Sequence, residues 1–264
     1  MIEECHEKRT VLDYIGKDFG KCLYLYIDLE EYGLENDFFK IWIQTNAQKK
    51  ITSLISKYYD GFQVFSKDND LDEKELVSFI GSHDFSMIVG MEDSIKKLSP
   101  LLKGYYLETG YVGQLNRLTV APAPGAYRAS FEEIEEIAEL LADDPTLGKP
   151  YGFDNLVTQY RKRFSEDFGR SYLLRDKKNK KIICHAATYA ETKDLAVISG
   201  VITAPEYRGQ GYSKGVLAAL CNELMNEKKH VFSYYYIPPA IKMHQGTGFE
   251  DIGKWAKLVK NDSH

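Results

Sequence analysis

The sequence predicts an α/β protein of two domains, and three observations carry that prediction. Hairpin signals, one at Asp60-Gly61 and one across the polar turn 176–180, put antiparallel strands in both halves of the 264-residue chain. Amphipathic helical stretches alternate with those strands. Residues 195–226, LAVISGVITAPEYRGQGYSKGVLAALCNELMN, read as a buried strand, a glycine-bearing turn and an amphipathic helix, and the second half is organised around them. The length exceeds that of an ordinary single domain and suits two, divided at 1–110 and 111–264.

In the first domain, residues 22–29 and 39–45 are β-former runs joined by a Gly- and Asn-containing turn at 33–37, a hairpin signal. The next stretch supports two readings. Ile51, Leu54, Ile55 and Tyr58 fall at helical spacing, yet Asp60-Gly61 lies between β-formers that run on to Phe65, and the hairpin reading is favoured. A helix over 71–79, a strand over 85–89 and a short helix over 94–102 follow, and 104–113 crosses to the second domain.

The second domain starts as a strand over 114–120, ended by Ala121-Pro122-Ala123-Pro124-Gly125. Ser130-Phe131-Glu132-Glu133 has the capping-box pattern, with Ile134, Ile137, Ala138 and Leu141 on one face of the helix it opens. A helix over 155–168 precedes a hairpin of 170–175 and 181–189. Residues 195–203 are apolar and β-branched, which suits a strand covered on both faces. Gly200 inside that run marks a bulge or close approach that would splay the strand from a neighbour. Pro205 ends it. Beyond Arg208-Gly209-Gln210-Gly211-Tyr212-Ser213, residues Val216, Leu217, Leu220, Cys221 and Leu224 recur on one helical face, so the turn sits at a helix N-terminus. Unpaired N–H groups and the positive end of the macrodipole suit an anion there, with Arg208 beside it.

Among phosphate cradles, a P-loop is excluded because Ser213-Lys214-Gly215 reverses the required order. A dinucleotide fingerprint fits poorly: the spacing is G-x-G-x-x-x-G, and the following strand, 231–237, meets Pro238-Pro239 without an acid. The stretch Val201-Ile202-Thr203 through Ser213 resembles the coenzyme A pyrophosphate loop of the GNAT N-acetyltransferase superfamily, R/Q-x-x-G-x-G/A, with Ser213 in the last place. Downstream, Ala240-Ile241-Lys242-Met243-His244 and Gly248-Phe249 resemble the superfamily's Ala/Ser-x-x-x-Tyr helix and Gly-Phe pair. Ile237 stands where an Asn commonly binds cofactor, and His244 where a Tyr commonly protonates the leaving thiolate.

The resemblance, over roughly the C-terminal half, implies a mixed, largely antiparallel sheet flanked by helices. It implies acetyl-CoA as co-substrate, held by Val201, Ile202, Thr203, Arg208, Gly209, Gln210, Gly211, Tyr212, Ser213 and Lys214, with His244 as catalytic acid titrating near neutral pH. A small-molecule or peptide amine is the implied acceptor. The base that would deprotonate it is not identified, since the central strand offers Ile198 and Ser199 rather than a carboxylate. A looser resemblance to glycine N-acyltransferase-like tandem proteins makes the first domain a degenerate copy. Its acidic 67–73 segment, Lys67 to Glu73, would repel a pyrophosphate; an unrelated α/β domain is the other reading. A non-catalytic acyl-CoA-binding or sensing module is the alternative for the whole. His185 reads as structural, and the acids from Glu132 to Glu139 as a solvated helix face.

Composition fits an ordinary globular protein, 44% hydrophobic and 28% charged. A net charge of −5 suggests neither nucleic acid nor an anionic membrane as partner. Cys5, Cys22, Cys184 and Cys221 form no C-x-x-C pair and no ligand spacing with histidine, so no disulfide framework and no metal are expected. The N-terminus lacks the basic and apolar regions of a signal peptide and no apolar run reaches spanning length, so a cytoplasmic location is expected.

Overall fold

The computed structural model describes residues 1–261. The first strands and helices are β1 (Ile2–Glu4), α1 (Lys8–Ile15), α2 (Leu23–Tyr32), β2 (Phe39–Thr45), β3 (Ile51–Tyr58), β4 (Gly61–Phe65), α3 (Glu73–Gly81), β5 (Met87–Met91) and α4 (Glu92–Leu98). They are followed by β6 (Tyr105–Leu115), β7 (Tyr127–Arg128), α5 (Ile134–Ala142), α6 (Phe153–Ser165), β8 (Ser171–Arg175), β9 (Ile182–Glu191) and β10 (Leu195–Thr203). The chain closes with α7 (Tyr212–Asn226), β11 (His230–Tyr235), α8 (Pro238–Gln245) and β12 (Phe249–Lys260). Among the described residues no helix is long and apolar enough to cross a membrane.

Two compact units result: Met1–Val112 together with the chain from Ile252 onward, and Gly113–Asp251. The contiguous division at 110 therefore misses the last strand. From Trp255 to Val259, β12 pairs antiparallel with β5, and Ala256 and Leu258 join the core of the first unit.

Within the first unit the strand order is β1-β2-β3-β4-β5-β12, antiparallel except for the parallel β4/β5 pair. The expected hairpin is present, but its two-residue turn is Tyr59-Asp60, with Tyr59 at φ +51°, and Gly61 already pairs with Tyr58 as the first residue of β4, while Leu54 pairs with Phe65. Residues 22–29, expected as a strand, are instead most of α2. Leu25 and Leu29, one helical turn apart, pack with Phe39, Ile41 and Leu54, while Leu23 and Ile27 are buried outside that cluster. An alternating apolar pattern thus served a helix enclosed on two sides, where packing overrides β propensity.

In the second unit the order runs β11-β10-β9-β8-β7, with β10/β11 parallel and the others antiparallel. Residues 114–120 do not form the expected strand. The aromatic-rich stretch before them is extended instead, as β6, and the chain beyond Leu115 is a loop tied down by Asn116 Nδ2 to Glu250 (2.9 Å) and Thr119 N–H to the Thr247 carbonyl (3.0 Å). The Ser130/Glu133 capping box is formed, and Ile134, Ile137, Ala138 and Leu141 are buried with Leu156, Val157, Tyr160, Leu173, Ala187 and Ile202. Helix α7 packs on β8 and β9, burying Val216, Leu217, Leu220, Cys221 and Leu224. Glu133 and Glu136 of the acidic helix face pair with Arg175 at 2.7 Å each, and Glu135 pairs with Arg161 at 2.8 Å; Glu132, Glu135, Glu136 and Glu139 are exposed.

Arg170, at the start of β8, organises the second unit's main ionic network. Its guanidinium reaches Glu191 (2.6 Å), Glu223 (2.7 Å) and Glu227 (2.6 Å), and Lys229 adds a bond to Glu191 at 3.0 Å. Burial alone would raise the Glu191 carboxyl, but hydrogen bonds from Arg170 and Thr188 bring it below its ordinary value. Its stabilising contribution is therefore present at neutral pH and is lost as pH falls through the lowered value. Arg170→Met leaves Glu191 buried with one cation fewer, and the expected cost is about 3–5 kcal/mol in urea unfolding at pH 7. The variant should also lose less stability than wild type between about pH 5 and about pH 3, the usual range of carboxylate titration.

Candidate functional site

The site is built where β10 hands the chain to α7. On one side β10 pairs with β9 as far as Thr203; on the other it pairs with β11 only from Leu195 to Ile198. Residues 199–203 therefore present an unpaired edge. Ala204 N–H donates to the Ile183 carbonyl at 2.9 Å, so by strand alternation Ile202 also faces β9, and the N–H groups of Val201 and Thr203 face the open edge. Past the end of β11, Tyr236 and Ile237 are 45% and 39% exposed.

A single turn (Pro205–Tyr207) and the exposed loop Arg208-Gly209-Gln210-Gly211 lead into α7. Gly209 and Gly211 have φ of +80° and +82°, and a Cβ at either would meet nothing within 4 Å. Gly211 is the helix N-cap and no side chain caps the helix; the first intrahelical bond, Gly215 N–H to Gly211 O, is long at 3.4 Å. The N–H groups of Tyr212, Ser213 and Lys214 therefore point out of an uncapped, positive helix end into open space. Arg208 donates from Nε to the Thr203 carbonyl (3.0 Å), which fastens the loop to the open edge of β10. Lys214 folds over α8, its Nζ lying where a Cβ on Gly246 would go. The third glycine has a packing role: the Gly215 carbonyl accepts from Ala123 N–H at 2.9 Å, and a Cβ there would collide with Ala123.

The equivalent junction in the first unit, β4 to α3, differs at each of these points. Asp72 caps α3, accepting from Glu75 N–H at 3.0 Å, and Gln44 Oε1 takes the Asp72 N–H at 3.0 Å. Lys97 donates to the Asn69 carbonyl at 2.5 Å. The helix end is filled by the chain's own carboxylate, and β4 pairs with β5 from Gly61 to Val64 with no register shift.

His244 is carried by α8 and buried against β11. It is 5% exposed, stacks on Tyr235 at 4.7 Å and meets Phe249 edge-on at 5.2 Å. Its Nδ1 lies 2.9 Å from the Ala240 carbonyl, which can only accept, so Nδ1 carries the proton and Nε2 accepts from Ser233 Oγ at 2.9 Å. Burial pushes its pKa down to about 4. Burial thus shifts His244 below the neutral range expected of it, and its Nδ1 proton is directed to a backbone carbonyl.

What sequence reading passed over is the support of the β10 bulge. Gly200 has φ of +61°, and its carbonyl accepts from His185 Nδ1 at 2.6 Å. The sequence shows a histidine in a largely apolar run and a glycine in the next strand, but not that the two meet, since His185 pairs with Ile202 and reaches Gly200 through its side chain.

The sequence model of the acetyltransferase (GNAT) family matches residues 134–249. No curated protein matches the sequence. The fold is similar to that of an acetyltransferase from the GNAT family of Colwellia psychrerythraea (13% identity, 98% of this chain and 99% of that one, TM-score 0.61). It is also similar to a GCN5-related N-acetyltransferase from Sphaerobacter thermophilus (11% identity, 98% and 95%, TM-score 0.64). A tandem GNAT protein from the clavulanic acid biosynthesis pathway aligns over 100% of both chains at 10% identity and a TM-score of 0.53. The tandem similarity fits the first unit as a second copy of the fold.

The buried histidines make stability depend on pH. With folded values near 4 for His185 and His244 against an ordinary 6.5, the unfolded chain binds more protons between those limits. Stability should fall as pH drops from about 6.5 towards about 4. His244→Gln should flatten that slope, measured by urea unfolding across the range.

Proposed function

We propose that the protein transfers an acetyl group from acetyl-CoA to an amine, a reading that starts from the match of residues 134–249 to the acetyltransferase (GNAT) family model. The single observation that carries this reading is the uncapped start of α7, where Gly209 and Gly211 leave open space at the positive end of a helix. The diphosphate of coenzyme A suits that cradle. The pantetheine amides suit the unpaired edge of β10, where they would add as a further strand.

In the proposed reaction the neutral amine attacks the thioester carbonyl carbon. The C–N bond forms, the C–S bond breaks, the amine's proton leaves to solvent, and the thiolate departs and is protonated from solvent. The N–H groups of Val201 and Thr203 lie on the edge where they can stabilise the developing oxyanion. His244 is outside this scheme, being neutral and engaged on both nitrogens. The acceptor is a small-molecule or peptide amine, and the four free, buried cysteines suit a reducing cytoplasm.

A non-catalytic acyl-CoA sensor is the second reading, favoured by the neutrality of His244 and by the absence of a carboxylate on β10. Thiol release from acetyl-CoA across a panel of amines separates the two, since a sensor binds without turnover. Ser213→Glu tests the cradle. An acid in the first turn suits the helix dipole, so stability should hold or rise by about 0.5 kcal/mol. The same charge opposes a diphosphate, and the acetyl-CoA Kd should rise about tenfold or more, 1.4 kcal/mol in binding. Unchanged affinity in calorimetry would remove α7 from the binding site.

A further inference from the structure

Pairing between β9 and β10 contains two opposed irregularities. Val197 pairs with Ala190 but Ile198 with Thr188, so β9 carries one extra residue; Ser199 pairs with Ala187 but Ile202 with His185, so β10 carries one. The second bulge cancels the slip made by the first, and register is recovered at Ile202 and Thr203. A strand that lost only the second would shift by one residue and exchange the faces of Val201 and Ile202. Ile202 is part of the core under α5 and α6, whereas Val201 is half-buried, so that exchange is opposed by packing.

Packing alone leaves the bulge's carbonyl turned inward. Gly200 O accepts from His185 Nδ1 at 2.6 Å, and His185 Nε2 accepts from Ser171 Oγ at 3.0 Å. The imidazole is 0% exposed and meets the Tyr160 ring edge-on at 5.8 Å. The Tyr160 hydroxyl lies 3.0 Å from where a Gly200 Cβ would stand. Burial holds the ring neutral, with a pKa near 4, so the carbonyl fixes the Nδ1–H tautomer. Ser171 is itself fully buried, and its hydroxyl fixes the plane of the ring.

We propose that His185 is a positioning residue: together with Ser171 it clamps the Gly200 carbonyl, and thereby sets the direction in which Val201 and Thr203 present their N–H groups at the open edge. The clamp rests on the acetyl-transfer reading for its effect on turnover, and on geometry alone for its effect on the strand. It acts through the backbone, touching neither substrate nor reacting atoms. A donor at the Nδ1 position is therefore what matters, while the rest of the ring contributes packing.

That requirement separates two amides of similar polarity. An asparagine amide nitrogen falls near the place of Nδ1, whereas a glutamine amide nitrogen falls nearer Nε2. In the full-length protein, His185→Gln should lower kcat about tenfold to a hundredfold, as misaimed groups do, with little change in the acetyl-CoA Kd. His185→Asn should recover most of that loss. Ser171→Ala, a smaller change, should give a weaker drop of the same kind.

Hydrogen–deuterium exchange over 199–203 supplies a readout that needs no turnover. Exchange should quicken in His185→Gln and stay near wild type in His185→Asn. If wild type binds no acetyl-CoA in calorimetry, the acetyl-transfer reading fails, while exchange still decides the clamp. Should His185→Gln unfold, Ser171→Ala carries the test through the same two measurements. Equal exchange in Asn and Gln variants, or a loss confined to Kd, would overturn the proposal.

Discussion

The rest of the candidate site depends on one interruption of backbone pairing, the parting of β10 from β11 after Ile198. Each side has its own cause. On β10 the bulge at Gly200 turns the strand aside. On β11 the chain runs into Pro238-Pro239, which cannot donate to a ladder and starts α8 instead. Unpaired strand edges are ordinarily a liability. This one is short, and Arg208 closes its far end through the Thr203 carbonyl.

The two units show how one strand–loop–helix arrangement can hold opposite electrostatics. In the second, glycines leave α7 uncapped, so its partial positive charge is unspent. In the first, Asp72 supplies an internal anion to α3, and Gln44 locks that loop from beneath. The difference lies in the capping side chains and in the strand before the helix, which is bulged and parted from its neighbour in the second unit and regularly paired in the first. Replacing Gly209 and Gly211 by acids and a cap would fill the start of α7 as Asp72 fills that of α3.

The buried polar groups of the second unit serve as struts. His185 and His244 each donate from Nδ1 to a backbone carbonyl and accept from a serine at Nε2, and burial keeps both neutral. Around Arg170 the groups are charged and the logic differs. Glu223 and Glu227 lie at the C-terminal end of α7, where the helix dipole disfavours acids. Arg170 offsets that by bridging both to Glu191, so the last turn of α7 is joined to β8 and β9.

The sequence by itself determined the parts of this protein that depend on local chemistry. Asp60-Gly61 between β-formers marks a hairpin, although the structure makes the turn from Tyr59 and Asp60 and gives Gly61 to β4. Ser130 with Glu133 specifies a helix start, and glycines at 209 and 211 before an apolar helical face specify an uncapped one. Only the tertiary structure decided the rest. The alternating run 22–29 satisfied two periodicities, and enclosure of α2 on two sides selected the helix. Ownership of β12 was a matter of which strand it met, since Trp255 to Val259 pair with residues of β5 far earlier in the chain. His244 has the spacing of an acid, but its protonation follows from the burial that Tyr235 and Phe249 impose. His185 and Gly200 lie 15 residues apart on neighbouring strands, and which strand residue meets which carbonyl is set by register, for which no single residue carries a signal.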